Sequence, residues 1–317
     1  MKARYLLFVA LALGSCDADL RDLCYNHNHV GDVNLTFDWQ KASQINAKGM
    51  TALFYNQNLA SSEPERYDFS GNQGGKARLS MGTYSALAYN NDTETILLRG
   101  MDSENTIEAY TRYSSIEEGT RVARSGMPRG GAEDEPVILE PDPICCKLSA
   151  PFTIEMDQAQ TITLQPELRY RNVTVTITDV PNLQYTSQFG GSLTGLAPSV
   201  NMSTGKVGVG RVTEAFTGTA VDESTLVFHV RIFGHCADVA NQHILTIYAV
   251  LADGSKWYCP INVTDQMHDG AQNPDEDEEI NILLSDLPIP KPIVNGSGFQ
   301  PTVDGWQSIE INVTMGD

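Results

Sequence analysis

The chain has 317 residues, of which 41% are hydrophobic and 8% aromatic, and its formal net charge at pH 7 is −19. This length allows two ordinary domains, each with its own core. A charge so negative excludes electrostatic attraction to nucleic acid and disfavours contact with anionic lipid headgroups, so no nucleic-acid partner is expected.

The N-terminal segment has the composition of a secretory signal. Lys2 and Arg4 give it a positive start, an apolar run follows from residue 5 to 13, and Leu13-Gly14-Ser15-Cys16 ends that run with small residues before a cysteine. The run is too short to remain as a membrane-spanning helix, but this order of regions is the one that signal peptidases recognise. We therefore predict a lipoprotein signal peptide over residues 1–15, with the Cys16 sulfur joined to diacylglycerol.

Residues 16–23 are predicted to form a lipidated tether. Asp17 and Asp19 follow the cysteine and resemble the surface-export signal of Bacteroidetes lipoproteins, although a solvated spacer explains them equally well. An ordinary secretory signal, with Cys16 as a chance thiol, is the alternative to lipidation. The prediction that follows is a protein held in the outer membrane by its lipid, at the cell surface.

Strand patterns begin soon after the tether. Apolar and polar residues alternate strictly over 33–39, the period of a strand with one buried face. Further short candidates are separated by turn-forming residues: 50–55, 77–80, 84–90, 95–99 and 106–111. Because no stretch here sustains a helical apolar face beyond about three turns, the pattern favours an all-β sandwich.

Residues 119–143 interrupt the strands with clustered glycine, proline, arginine and acidic residues. This composition predicts an exposed loop or an interdomain linker. We place it near the end of a first β-sandwich domain over 24–147, and we predict that 148–317 form a second one.

A hairpin is the clearest local prediction in the second half. Asp253-Gly254 separates two strand candidates, 243–252 and 256–264, and this dipeptide is typical of a two-residue turn. Such a turn would place Trp257 opposite Val250 and Cys259 opposite Tyr248. Trp257 and Cys259 are therefore predicted to be core residues.

The C-terminal segment combines a proline-rich stretch, 287–301, with a final strand candidate, 306–314. Proline interrupts ladder pairing, so the stretch is expected to run extended. The final strand is either an exchangeable strand that binds a partner or the closing strand of the second domain. In the first case its partner-binding residues would be Trp306, Ile309, Ile311 and Val313.

No catalytic motif occurs in the chain: it has no Gly-x-Ser-x-Gly elbow, phosphate-binding glycine loop, His-Glu-x-x-His helix or paired Cys-x-x-Cys. We therefore expect neither an enzyme nor a cofactor. An acidic run over 265–279 lacks EF-hand spacing, which favours solvated charge over a Ca²⁺ site. The five cysteines after Cys16 allow two disulfides, but their pairing does not follow from the sequence.

Cys24, His27 and His29 are the weak metal candidates. On a strand the two histidines would share a side, and Cys24 would approach them, but no fourth ligand is visible. Polar residues that support the start of the fold are the simpler explanation, so we predict no metal. His235, which Cys236 follows, is interpreted as structural or exposed.

Several phrases of the sequence together resemble a family of Bacteroidetes lipoproteins of uncharacterised function, which is grouped with the fimbrial anchor and accessory subunits of type V pili. After the Cys16 lipobox, the resemblance is carried by residues 23–30, 33–39, 66–69, 82–87 and 91–94, and by the closing Asp304-Gly305-Trp306. It implies two tandem transthyretin-like, Greek-key β-sandwiches on a lipid tether.

The resemblance also implies a function: a non-catalytic anchor or accessory subunit of a fimbria, involved in cell adhesion and pilus assembly. Its partners would be pilins or other fimbrial subunits, bound when a strand of one subunit completes the sheet of the next. A surface glycan-binding lipoprotein is the alternative and would expose a row of aromatic side chains. A hydrolase on a β scaffold is a third possibility, which no motif supports.

Overall fold

The computed structural model describes residues 29–58, 63–122, 126–156, 158–235, 242–269, 279–292 and 305–309. These residues form strands almost throughout, with two short α-helices and two 3-10 turns, at Trp39–Ala42 and Leu183–Tyr185. The predicted all-β sandwich fold is confirmed. Within the described ranges, no helix is both long and apolar enough to span a lipid bilayer.

The first group of elements extends to residue 168. It comprises β1 (Val30–Phe37), β2 (Gly49–Asn56), β3 (Glu65–Ser70), β4 (Gly75–Ser80), β5 (Gly82–Asn90), β6 (Ile96–Arg99), β7 (Glu108–Thr111), α1 (Ile116–Thr120), β8 (Val137–Ile138), β9 (Cys145–Leu148), β10 (Phe152–Ile154), β11 (Ala159–Leu164) and β12 (Glu167–Leu168).

Two sheets of this group enclose one core. One sheet has the order β11-β1-β4, and the other has the order β12-β9-β5-β2-β3, with β10 also paired to β5. The alternation predicted for β1 is present, since Val33 and Leu35 are fully buried while their neighbours are not. Each such side chain contributes about 1.5–3 kcal/mol by leaving water.

The second group comprises β13 (Arg171–Thr178), β14 (Thr186–Leu196), β15 (Ser199–Asn201), β16 (Val212–Ala220), β17 (Leu226–Ile232), β18 (Ile244–Leu251), β19 (Lys256–Asn262), α2 (Thr264–Asp269), β20 (Glu279–Ser285) and β21 (Trp306–Ser308). The strand order is β20-β13-β17-β16-β14-β18-β19-β21.

Strand β16 joins the two layers of this second unit. Its first half pairs with β14, and its second half, Gly218–Ala220, pairs with β17. Phe216 and Phe228 meet edge to face between the layers, with ring centroids 5.6 Å apart. Gly218 lies opposite Phe228, and a Cβ there would come within 2.3 Å of the Phe228 ring. The absence of a side chain at Gly218 therefore makes room for Phe228.

The two units share a third, small sheet. Strand β15 pairs with β7, and β7 pairs with β6. Val200 and Met202, in and just after β15, belong to the core of the first unit, as do Ile154 and Leu164 of β10 and β11. Strands that follow residue 148 thus pack in both units, and the division at 147/148 stays a prediction.

The segment 119–143, predicted as an exposed loop, packs in part on the second unit. Ile116 of α1, Val122 and Met127 form a small buried cluster with Ala215 and Tyr248. Strand β8 pairs in parallel with the start of β16. The apolar residues of the segment therefore pack on the sheet that contains β16 and β18.

The hairpin register differs from the prediction by one residue. Trp257 lies opposite Ala249 and Cys259 opposite Ile247, because the loop has three residues, with Gly254 in the left-handed region at φ 83°. Asp253 has a negative φ and accepts a hydrogen bond from the Ser255 backbone N–H, so it does not adopt the conformation that a two-residue turn requires. The core prediction holds for Cys259, which is fully buried as a free thiol.

Candidate functional site

The sequence-predicted site residues at the N-terminus are mostly outside the described residues: this applies to Cys16, Cys24 and His27. His29 directly precedes β1, and its carbonyl accepts a hydrogen bond from the Met81 N–H at 2.9 Å. Within the described part of the chain, His29 does not belong to any group of three potential metal ligands.

Two of the four predicted partner-binding residues lie on the second unit. Strand β21 pairs in parallel with β19, so that Trp306 lies opposite Lys256. The Trp306 ring meets the Tyr248 ring at 5.5 Å, and Ile309 is buried in the core. Ile311 and Val313 are outside the described residues. The partner-binding role of these four residues remains a proposal.

Among the described residues, the pairing along the outer edge of β19 covers its first half. Strand β21 covers residues 256–258, and the Ile309 N–H then donates to the Tyr258 carbonyl at 2.8 Å. Every second residue of a strand directs its backbone groups to the same edge, so the next two after Tyr258 are Pro260 and Asn262. Pro260 has no N–H to donate.

At the opposite edge of the second unit, a side chain caps one residue of the edge strand. Strand β20 is the edge strand there, and the Gln266 side chain of α2 bonds to both backbone groups of Leu283. The Leu283 N–H donates to Gln266 Oε1 at 2.7 Å, and Gln266 Nε2 donates to the Leu283 carbonyl at 3.2 Å. A primary amide thus occupies the place of a neighbouring strand.

Three histidines from distant parts of the chain meet at one end of the second unit. His235 follows β17 and forms a single antiparallel bridge with Leu196. His243 directly precedes β18, and His268 lies on α2. His235 and His243 are buried, His268 is half-buried, and one ligand nitrogen from each ring lies within 4.8 Å of the other two.

Hydrogen bonds fix the His243 ring. Its Nδ1 lies 3.0 Å from the Thr194 carbonyl, and its Nε2 lies 3.2 Å from Nε2 of His268. Because a carbonyl only accepts, Nδ1 carries the proton and Nε2 of the neutral ring has a free lone pair. Burial lowers the pKa of His243, and the neighbouring His268 ring lowers it further, while the hydrogen bond to the Thr194 carbonyl raises it.

Little in the sequence points to this cluster. Of the two alternatives for His235, structural or exposed, the first fits, since His235 is buried, and no local motif marks His243 or His268. The available signal was compositional, since three of the six histidines fall within residues 235–268.

A buried carboxyl group is a second unusual feature of this unit. Glu214 of β16 lies on the same face as the core residues Val212 and Phe216, and among the described residues neither of its oxygens has a hydrogen-bond partner. Burial raises its pKa well above 4.5, and nearby Glu140 raises it further, while Arg231 opposes both effects. The environment of Glu214 therefore favours the neutral acid over the carboxylate.

Replacing Glu214 with methionine should stabilise the protein at about pH 8 by roughly 1–3 kcal/mol, the typical cost of an unsatisfied buried polar group. A carboxyl whose folded-state pKa is raised adds no ionisation penalty to the cost of its burial below pH 4.5, and stability falls as the pH rises from there through the folded-state value. The Glu214→Met variant should lack this decrease in stability. Urea unfolding of both proteins between pH 4.5 and about pH 8 measures the difference in the free energy of unfolding.

The exposed Glu223 provides the matched control, since Glu223→Met should leave the pH dependence of the wild type unchanged. Equal pH profiles for wild type and Glu214→Met would show that Glu214 does not titrate with folding.

Comparisons with known proteins agree with this architecture. A family model described as "Domain of unknown function (DUF5119)" matches residues 15–217. The chain is 33% identical over 106 residues to the "Putative fimbrium anchoring subunit Fim4B" of Bacteroides ovatus, a match that covers 33% of this chain and 30% of that relative. The chain thus matches less than a third of that relative's length.

Two solved structures share the fold. A "putative adhesin" from Bacteroides ovatus superposes with a TM-score of 0.57 at 20% identity, over 84% of this chain and 95% of that one. The "putative polysaccharide binding proteins" of Bacteroides thetaiotaomicron give a TM-score of 0.51 at 10% identity, over 81% and 90%. The predicted resemblance to Bacteroidetes fimbrial anchor proteins is confirmed. Because the family model covers well over half of its length, the chain belongs to the DUF5119 family.

Proposed function

We propose that this protein is a non-catalytic anchor or accessory subunit of a fimbria, held at the outer surface of the outer membrane by a lipid on Cys16. The observation that carries this proposal is the 33% identity to a relative named as a fimbrium anchoring subunit. Its partners are pilins or other fimbrial subunits, and its role is in adhesion and pilus assembly.

We infer strand-edge complementation as the mode of binding, and the pairing of the terminal segment along the β19 edge supports it. In this mode, backbone hydrogen bonds supply affinity, and pockets for alternate side chains fix the register. The terminal segment, which contains the predicted partner-binding residues Trp306 and Ile309, lies along β19 and pairs with residues 256–258. We therefore place partner binding at the β19–β21 edge.

Two roles for the terminal strand fit this edge. The segment from Trp306 onward either leaves β19 to pair with a pilin, or stays on β19 and presents its own outer edge to the pilin strand. In both cases the partner contacts depend on residues from 306 onward, including Ile311 and Val313.

The proposal is tested by purifying the tagged full chain from the outer membranes of its native bacterium in mild detergent and identifying the proteins that accompany it. We expect pilin subunits, and we expect a chain that ends at Gly305 to lose them while it remains in the membrane. Circular dichroism of that shortened chain checks that the fold persists. The Glu223→Met variant should retain the pilins.

A surface glycan-binding protein would give the opposite outcome: binding to polysaccharide arrays and no pilin. Its expected row of exposed aromatic side chains has limited support, because Trp39, Trp257 and Trp306 are all partly buried and, in the described ranges, only Tyr113 and Tyr185 are classed as exposed aromatics. Glycan binding without pilin co-purification would overturn the fimbrial proposal.

A further inference from the structure

We propose that His235, His243 and His268 form a binding site for a divalent transition-metal ion, with Zn²⁺ as the ion that the donor set fits best. Neutral imidazole nitrogens are typical ligands of zinc. The site would be made by this chain alone, at the end of the second unit where β18 begins and β19 ends.

The spacing of the nitrogens matches a zinc centre. With Zn–N distances of about 2.0–2.1 Å, two ligand atoms of a tetrahedral site lie about 3.3–3.4 Å apart. His243 Nε2 and His268 Nε2 are 3.2 Å apart, and all three nitrogens lie within 4.8 Å of one another. Two of the nitrogens thus already have the spacing of zinc ligands, and the His235 nitrogen would move closer to them when the ion binds.

The His243 ring is already oriented as a ligand. Metal-binding histidines commonly donate their second N–H to a carbonyl or carboxylate, which fixes the tautomer and directs the free lone pair at the metal. The Nδ1 contact with Thr194 at 3.0 Å supplies that partner. A second hydrogen bond holds the His243 backbone: its N–H donates to Thr264 Oγ1 at 2.9 Å.

The charges around the cluster do not oppose a cation strongly. Arg211 is the nearby positive group, and it donates to Glu135 Oε1 at 2.8 Å, so that the two charges compensate each other. Arg211 also donates to the Gln242 carbonyl, next to His243. The half-buried position of His268 gives an ion access from solvent and leaves room for water as a fourth ligand.

A bound ion would tie together three segments that the sheet alone connects weakly. His235 follows β17, His243 directly precedes β18 and His268 belongs to a helix of six residues. An ion that binds the folded state and not the unfolded chain stabilises the fold in proportion to its affinity and concentration. We therefore expect zinc to stabilise the second unit.

The test is a titration of the metal-free mature chain with ZnCl₂, followed by calorimetry and by thermal unfolding. We expect one equivalent to bind and the melting temperature to rise. His268→Ala should weaken zinc binding by more than about 100-fold. Removing only the hydrogen-bond partner of a metal ligand lowers metal affinity roughly 10- to 100-fold, and removing the ligand itself should lower it further. Cobalt bound in place of zinc should show the visible spectrum of a tetrahedral site.

Two variants serve as controls. His229→Ala removes a histidine on the polar face of β17 that bonds to Thr174, and it should bind zinc as the wild type does. The double variant His27→Ala, His29→Ala removes the N-terminal candidates and should also keep the site. The proposal is overturned if the wild type shows no saturable binding, in which case the 3.2 Å contact is an N–H···N hydrogen bond between neutral rings.

His268 lies on a short surface helix, so its variant should remain folded, and circular dichroism of the metal-free protein checks this. If His268→Ala nevertheless fails to fold, X-ray absorption of the zinc-loaded wild type decides the matter. A first shell with three imidazole nitrogens supports the site, and a shell without them refutes it.

Discussion

Replacing Cys16 with serine is expected to release the protein from the outer-membrane fraction and to abolish its labelling with palmitate. The lipid is predicted to be attached through the Cys16 sulfur, and serine has no thiol to form the thioether. Several acyl chains make a firm anchor, because each buried methylene contributes about 0.8 kcal/mol and a single chain is only marginal. The loss of membrane attachment and of labelling in Cys16→Ser should therefore be nearly complete.

Cell fractionation with immunoblotting, combined with metabolic palmitate labelling, measures this effect. The control is Cys24→Ser, which removes the next cysteine along the chain and should leave both labelling and membrane attachment intact. Labelling that persists in Cys16→Ser would refute the lipobox interpretation and, with it, the proposed means of attachment.

The second large effect is expected in the core of the second unit, where Phe228→Ala should lower the free energy of unfolding by about 3–5 kcal/mol. The Phe228 side chain is fully buried, meets Phe216 edge to face and fills the space over Gly218. Both neighbours belong to β16, the strand that joins the two layers. The cavity would therefore open where the layers are linked.

Tryptophan fluorescence can assign this loss to the correct unit. Trp39 packs on the first core, whereas Trp257 and Trp306 pack on clusters of the second unit. In a Trp39→Phe background, urea unfolding followed by fluorescence therefore reports on the second unit alone. Leu283→Ala, at a side chain that is 65% exposed, is the control and should change stability by less than about 0.5 kcal/mol. Equal losses in both variants would contradict the assignment of Phe228 to the core.

The parts of the fold that were predictable from sequence are those that depend on local periodicity. The alternation in β1 identified Val33 and Leu35 as buried, because a strand with one solvent face has a period of two. The Asp253-Gly254 hairpin was located correctly, but its register was wrong by one, since the conformation of Asp253 decides between a loop of two residues and one of three.

The histidine cluster illustrates what a single sequence conceals. His235 and His243 come together because β14 pairs with β18 while Leu196 forms a bridge with His235, and His268 joins them through the helix after β19. These contacts depend on which strands are neighbours in the sheet. Periodicity shows that strands exist, but it does not determine their order.

The position of β1 has a mechanical consequence. This strand begins at residue 30, directly after the N-terminal segment, and it lies in the middle of its sheet, with six residues in register with β11 and six with β4. A pull on the tether would act along the strand axis, across hydrogen bonds that run from strand to strand. Those bonds would share the load and break together rather than one after another, so tension applied at the N-terminus would load the first unit in shear.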